Sequence, residues 1–247
     1  LWAGVLYQGR KIPGRCGPPW WRSLGFTRHL DRLNLRSGRD KVVFSLEYGP
    51  ACDIYRAGDG VHKLNVQRRF RGSPRWMLNP WHWLAPRLER KCMESARAII
   101  ANSNLIKSLV GATYPHLAGK IVTIYNGFDP AVFHTAERTK EALRPDLPLP
   151  ADGTMLLLSG SGFVRKGLHH AVELMARVRH EPGYHDAYLA VTGKGDASPF
   201  MARVKALNVT ECVRFIGAVD NPQTYYQAAD FMVLPTRHDP FSHACLE

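Results

Sequence analysis

The sequence predicts an α/β protein built on parallel sheets. Short apolar runs recur along the chain, and stretches with helical apolar spacing separate them. Gly, Ser or Pro closes most of the runs, as strand–turn–helix units require.

In the first half, residues 41–46 (KVVFSL) read as a buried strand and residues 84–97 as a helix. Strands follow at 98–101 and 121–125, with a helix from about 103 to 110 between them. Residues 1–40 hold many Gly, Pro and Arg and receive no element. Residues 135–153 are polar and Pro-rich, which suits an interdomain linker. The second half alternates more regularly. Residues 155–158 form an apolar run ending in Ser159-Gly160-Ser161-Gly162. Leu168, Ala171, Val172, Met175 and Val178 then follow a helical period. Another run, 187–191, ends in Thr192-Gly193, and Ser198-Pro199 reads as an N-cap with a first-turn proline. A strand over 213–219, a helix from Asn221-Pro222 through Ala229, and a strand over 231–234 complete the pattern. No repeat of about 20–50 residues is present. The expected organisation is a basic unit over 1–133, a linker over 134–153 and a second unit over 154–247.

A chain of 247 residues with 45% hydrophobic and 22% charged residues is neither disordered, collagenous nor a coiled coil. No apolar run approaches the roughly 18–20 residues that span a bilayer. The five cysteines, at 16, 52, 92, 212 and 245, form no CxxC pair and read as reduced thiols, not a disulfide frame or zinc site. The net charge of +12 is uneven: residues 1–120 hold 21 Lys/Arg against 7 Asp/Glu, and residues 121–247 hold 12 against 14. The basic half is expected to attract phosphates, in nucleic acid, lipid head groups or a phosphorylated acceptor; a merely solvated basic surface is the alternative. The chain begins at Leu1 without an initiator Met or a signal-peptide pattern and stops at Glu247 after a loop that opens a helix. It therefore reads as a fragment, truncated at both ends.

Ligands of open parallel sheets bind beyond the C-terminal strand ends. Three segments fall there. Ser159-Gly160-Ser161-Gly162-Phe163-Val164-Arg165-Lys166-Gly167 combines backbone room, a helix N-terminus and two cations, which suits a pyrophosphate. It lacks the spacing of a Walker loop. The segment from Thr236 to Glu247 places two carboxylates eight apart, at Asp239 and Glu247, around a Pro-Phe-Ser turn whose N–H groups face a ligand. A carboxylate accepts two hydroxyl hydrogen bonds, as vicinal diols offer. Thr192-Gly193-Lys194-Gly195-Asp196 is a tight turn bordering a base or a phosphate. Taken alone, each reads first as structure: an ordinary turn, or for the second a loop acid and a first-turn helix acid.

Together these residues resemble a known family. Arg165-Lys166-Gly167 after a strand, and Asp239-Pro-Phe-Ser through Leu246-Glu247 after a later one, are similar to the nucleotide-sugar site of family 4 retaining glycosyltransferases. The family's E-x7-E motif stands here as D-x7-E, one methylene shorter at its first acid. The segment Val122 to Phe133 resembles the "IPNGVD…F" segment, and Ala98 to Ser103 the "VIANS" strand before it. Phe44-Ser-Leu-Glu47 and Asp53 to His62, with its "AGD", resemble the lipopolysaccharide core glucosyltransferase branch. The resemblance covers about residues 40–247. It implies the GT-B fold, two Rossmann-like domains facing a cleft. The family's N-terminal strand and phosphate loop, and its last strands, are not found in the chain.

The resemblance also implies a reaction: transfer of a hexose, with UDP-glucose the expected donor, to a glycolipid or polysaccharide hydroxyl with retention. Arg165 and Lys166 neutralise the departing diphosphate without a metal or other cofactor. Gly160, Ser161, Gly162 and Gly193 line the donor; Glu247 holds the ribose, Asp239 touches the sugar, and the Phe241 and Ser242 N–H groups fix sugar or phosphate. Asp59 is expected to position or deprotonate the acceptor, and His62 to bind the sugar or assist proton movement; a turn acid and a packed histidine are the alternatives. No nucleophile is assigned. Ala substitution of Arg165 or Lys166 is expected to abolish transfer and leave the fold intact. A phosphorylated glycolipid acceptor gives the basic half a meaning. Arg68-Arg69-Phe70-Arg71, Arg75-Trp76-Met77 and Trp81-His82-Trp83 mix cations with amphipathic aromatics, as peripheral contact with an anionic cytoplasmic leaflet requires; the tryptophans equally suit a core. The competing classes are a basic nucleic-acid or anionic-surface binding protein and a catalytically silent fragment. No nucleic-acid-binding motif is present, so nucleic acid is not the expected partner.

Overall fold

A computed structural model describes residues 6–7, 10–11, 18–33, 41–47, 49, 51–70, 73–135 and 138–247. The chain divides into two compact α/β units, Leu1–Asn126 and Gly127–Glu247. The boundary falls earlier than the one expected after residue 133. Among the described residues no helix is long and apolar enough to cross a membrane.

The first unit opens with an antiparallel pair, β1 (Leu6–Tyr7) and β2 (Arg10–Lys11), and a helix, α1 (Pro19–Arg32), in a region where the sequence offered no element. Its sheet has the order β3-β4-β5-β6, all parallel: β3 (Phe44–Ser45), β4 (Ile54–Ala57), β5 (Ala98–Ala101) and β6 (Ile121–Thr123). Three helices connect the strands: α2 (His62–Phe70) and α3 (Trp81–Ser95) between β4 and β5, and α4 (Asn104–Thr113) between β5 and β6. Ser103 caps α4, its hydroxyl accepting from the Ile106 N–H at 3.2 Å. Ile99, Ile106, Met93, Val61 and Val110 form the heart of the core.

Residues 41–46 are not a buried strand. Among the described residues only Phe44–Ser45 pair, on one side, and Val42, Phe44 and Leu46 are 70%, 53% and 59% exposed. The pairing strand β4 carries the burial instead. Cys52 and Cys92 are buried thiols 3.3 Å apart. Neither is in a disulfide, nor are Cys212 and Cys245; Cys16 lies outside the described residues.

The second unit has the sheet order β10-β7-β8-β9, again parallel: β7 (Met155–Ser159), β8 (Tyr188–Thr192), β9 (Val213–Gly217) and β10 (Phe231–Met232). Every residue of β7 and β8 is buried, the mark of strands covered on both faces. Helices α5 (Lys140–Leu143), α6 (Phe163–Lys166), α7 (Leu168–Val178), α8 (Ser198–Ala206), α9 (Pro222–Ala228) and α10 (His243–Leu246) complete it.

Three local expectations change. Residues 134–153 include α5 and a buried Arg144, whose guanidinium bonds Asp230 at 2.5 Å and the Ala228 and Gly153 carbonyls at 3.0 and 2.8 Å. Arg144 and Leu143 anchor this segment to the second unit. Ser198 is the first residue of α8, not its cap; the Asp196 carboxylate two residues earlier accepts its N–H at 2.9 Å. The helix after the Gly-rich turn is broken by Gly167, at φ +78°, into α6 and α7. A Cβ there would lie 2.0 Å from the Pro235 carbonyl oxygen, so this residue lets the loops after β7 and β10 touch.

Candidate functional site

The sheet order of the second unit creates its site. The chain leaves β7 toward β8 on one side and returns to β10 on the other, so the switch point lies beyond the C-terminal ends of β7 and β10. The loops that follow these strands are the ones that carry the motifs. Thr236 Oγ1 donates to the Arg165 carbonyl at 2.9 Å, tying the second loop to the first.

There the cations and the first acid of D-x7-E meet. Lys166 Nζ donates to Asp239 Oδ2 at 2.7 Å, and Arg165 Nη1 approaches the same oxygen at 3.5 Å. The Lys166 and Asp239 side chains are 7% and 10% exposed, whereas Arg165 is 54% exposed. The pair is therefore buried, with one exposed cation at its rim. The cluster keeps a net charge of one positive unit. Beside it, the Gly160 N–H donates to the Thr192 carbonyl at 3.0 Å, and a Cβ on Gly193 would lie 2.5 Å from the Gly160 carbonyl oxygen. Ser161 Oγ accepts from the Lys194 N–H at 3.3 Å, and the Gly162 N–H donates to the Lys194 carbonyl at 3.4 Å. The expected donor turns Gly160–Gly162 and Gly193 are thus one interlocked wall, and Ser161 spends its hydroxyl on holding it.

Glu247 belongs to a second arm. Tyr226 donates to Glu247 Oε2 at 3.0 Å, and its oxygen lies 3.0 Å from Ser159 Oγ at the end of β7. Burial, more than its bond to Glu247, pushes the Tyr226 phenol up to about 12, so it stays a neutral donor. Tyr226 carries no motif in the sequence, and Ser159 only opens the Gly-rich turn; the fold of α9 over β7 brings both to Glu247. Phe241 and Ser242 lie between the two acids. The Ser242 hydroxyl is buried without a hydrogen-bond partner, as is that of Thr192.

In the first unit, the "AGD" acid Asp59 is exposed in the loop between β4 and α2. Its carbonyl accepts from Asn65 Nδ2 at 2.7 Å. Partial burial of the Glu47 carboxyl, and then the Asp59 charge, raise Glu47 above the usual carboxylate range. His62 opens α2 with its ring against α3: its Nε2 lies 3.0 Å from His82 Nδ1, and Trp81 meets it edge-on at 6.1 Å. Burial, then His82, lowers His62 to about 4, so it is neutral at physiological pH. His82 and Glu89, which accepts the His62 N–H at 3.0 Å, are neighbours that spacing along the chain does not reveal. The basic aromatic segments fall on α2, the turn at Pro74–Leu78 and α3. Met77, Leu78 and Trp83 are exposed there, and the Trp76 and Trp83 rings lie 5.7 Å apart. Arg71 lies outside the described residues.

Known proteins resemble this chain. The family model of glycosyl transferases group 1 matches residues 139–247, and that of glycosyltransferase family 4 matches residues 4–132, more than half of the chain. The lipopolysaccharide core biosynthesis glycosyltransferase LpsE of Rhizobium meliloti is 31% identical over 105 residues, 42% of this chain and 29% of its own. The solved structure of WaaG, a glycosyltransferase involved in lipopolysaccharide biosynthesis, superposes with a TM-score of 0.80 at 19% identity, covering 94% of this chain and 62% of WaaG. HepE of Anabaena, solved in complex with UDP-glucose, has a TM-score of 0.57 at 19% identity, covering 77% of this chain and 49% of its own. The chain spans less than two thirds of the length of each. With two parallel-sheet units and both family models matched in order, the chain belongs to glycosyltransferase family 4 and has the GT-B fold.

Proposed function

We propose that this protein transfers a hexose, glucose first among candidates, from UDP to a hydroxyl of a phosphorylated glycolipid, in the class of lipopolysaccharide core synthesis. The observation that carries the reading is the Arg165–Lys166–Asp239 cluster at the switch point of the second unit. As the bond from the anomeric carbon to the β-phosphate oxygen breaks, negative charge gathers on the departing diphosphate. Lys166 meets it as a point charge and Arg165 as a fork, so no metal is required for neutralisation. The acceptor oxygen forms the new bond with the configuration retained, and its proton leaves with the diphosphate. Glu247, held by Tyr226, is assigned to the ribose hydroxyls, Asp239 to the sugar, and Phe241 and Ser242 to the phosphate or sugar. Asp59 and His62 are assigned to the acceptor. A solved relative holding UDP-glucose supports the choice of donor, and two named for lipopolysaccharide synthesis support the acceptor class.

The exposed Met77, Leu78 and Trp83, with Arg68, Arg69, Arg75 and Arg87 on the same elements, are assigned to an anionic leaflet at the cytoplasmic face of the inner membrane. A nucleic-acid partner would leave the buried cluster of the second unit without a use. The test is a thermal-shift screen of UDP-, GDP- and ADP-sugars. A ligand at about 100 times its Kd adds about 2.7 kcal/mol, so UDP-glucose is expected to raise the melting temperature clearly. No response to any of the three classes would overturn the reading.

A further inference from the structure

Glu89 is fully buried, on the face of α3 that also holds Ala85, Leu88, Cys92 and Met93. Its oxygens accept the His62 N–H at 3.0 and 3.3 Å, and the side chain of Tyr114 hydrogen-bonds it from the end of α4. The need for this acceptor is written in α2. The helix starts at His62, and the residue before it, Val61, is 1% exposed and has no side-chain oxygen to take a first-turn N–H. A carboxylate from a neighbouring helix fills that role and also complements the helix dipole.

The loop in front of α2 is held along its length. Asn102 Nδ2 donates to the Gly58 carbonyl at 2.9 Å and Asn65 Nδ2 to the Asp59 carbonyl at 2.7 Å. Gly60, at φ +78°, is packed so that a Cβ would lie 2.8 Å from Ile106 Cδ1. Glu89 supplies the last fixed point of this loop.

We propose that Glu89 is a positioning residue of the acceptor side: it caps α2 from α3 and thereby sets where Asp59 and His62 stand. The inference rests on the acceptor-side reading of those two residues. The carboxylate form makes the stronger, charge-assisted bond, and protonation weakens it. Burial, opposed by the His62 N–H and Tyr114, raises Glu89 to about 7, whereas His62 is lowered to about 4. The titratable groups facing Glu89 are His62 from α2 and Tyr114 from the end of α4; Arg90 and Glu94 act on Tyr114 from α3. Deprotonation of Glu89, not of the His62 imidazole, is therefore expected to make the rate rise with pH through about 7.

The test uses hydrolysis of UDP-glucose, with water as the acceptor probe, and UDP affinity by calorimetry. Glu89→Gln is expected to lower kcat about tenfold to a hundredfold, leave UDP affinity within about twofold, and flatten the rise through about pH 7. A wild-type rate and pH profile in Glu89→Gln, with Asp59→Asn or His62→Ala impaired, overturns the inference alone. Wild-type rates in both Asp59→Asn and His62→Ala overturn the acceptor-side reading, and the inference with it. If Glu89→Gln fails to fold, Tyr114→Phe, which loosens the same carboxylate, replaces it. A smaller loss in the same direction supports the inference; an unchanged rate and pH profile overturns it.

Discussion

Replacing Lys166 by Met removes a cation that is 7% exposed and leaves Asp239, 10% exposed, with Arg165 at 3.5 Å as its one cation among the described residues. Breaking one side of a buried ion pair costs about 3–5 kcal/mol. Arg165 remains but is 54% exposed and screened by solvent, so it offsets little. The expected loss is about 3 kcal/mol. At roughly 4 °C per kcal/mol for a unit of this size, melting falls by about 12 °C. Asp239→Asn strands Lys166 and costs a similar amount. The double variant Lys166→Met/Asp239→Asn buries no unpaired charge, so its loss is expected near that of one single variant, a coupling of about 3 kcal/mol. Urea unfolding followed by far-UV circular dichroism on all four proteins measures this. Losses that add within about 0.5 kcal/mol would refute the buried pair. The same double variant separates stability from function: folded yet unable to bind UDP, it assigns the cation to the leaving group, and wild-type UDP affinity removes that role. Burial also corrects the expectation that Lys166→Ala spares the fold.

Arg165→Ala is expected to abolish transfer while changing stability by no more than about 0.5 kcal/mol, because its guanidinium is largely exposed; full activity counts against the phosphate assignment. Burial would raise Asp230, but hydrogen bonds from Lys140, the Met155 N–H and Arg144 prevail and hold its carboxyl below the usual range. A carboxyl lowered on folding stabilises above its unfolded value near 3.8, and the gain disappears as pH falls through its folded value. Melting of the second unit should therefore fall in acid, and Asp230→Asn should flatten that slope; an unchanged slope removes Asp230 as its cause. Co-sedimentation with vesicles should show salt-sensitive binding to anionic lipid that weakens in Trp83→Ala. Equal binding to neutral vesicles would reject the electrostatic part.

What was legible in the sequence depended on how local its cause is. The runs at 155–158 and 187–191 are apolar because β7 and β8 are covered on both faces, so composition alone marks them. The Gly-rich turn, Arg165, Lys166 and Asp239 were readable because sheet order puts every loop after a parallel strand at one end. By contrast, β4 carries Arg56 within four residues, and α2 buries only Val66, so neither shows a clear period. The run at 41–46 is apolar yet lies at an edge, where hydrophobicity does not imply burial. The helix expected over 84–97 runs over Trp81–Ser95 and holds Pro86 within it.

The groups that set the geometry of the site were the hardest to read, for a physical reason. Glu89 is 27 positions from His62, Asp239 is 73 from Lys166, and Tyr226 is 67 from Ser159. Each pairing exists only after the fold has formed: Lys166 and Asp239 carry motifs but not their bond to each other, and Glu89 and Tyr226 look like ordinary polar positions along the chain. A ligand-facing residue can carry a motif, because its chemistry constrains its type and spacing. A residue that holds another in place is constrained only by where the fold delivers it, as Val61 illustrates: a helix start without a capping side chain implies a distant acceptor but does not say which. Helix starts lacking a local cap beside a motif are thus the places in this family where a buried carboxylate from another element is worth seeking.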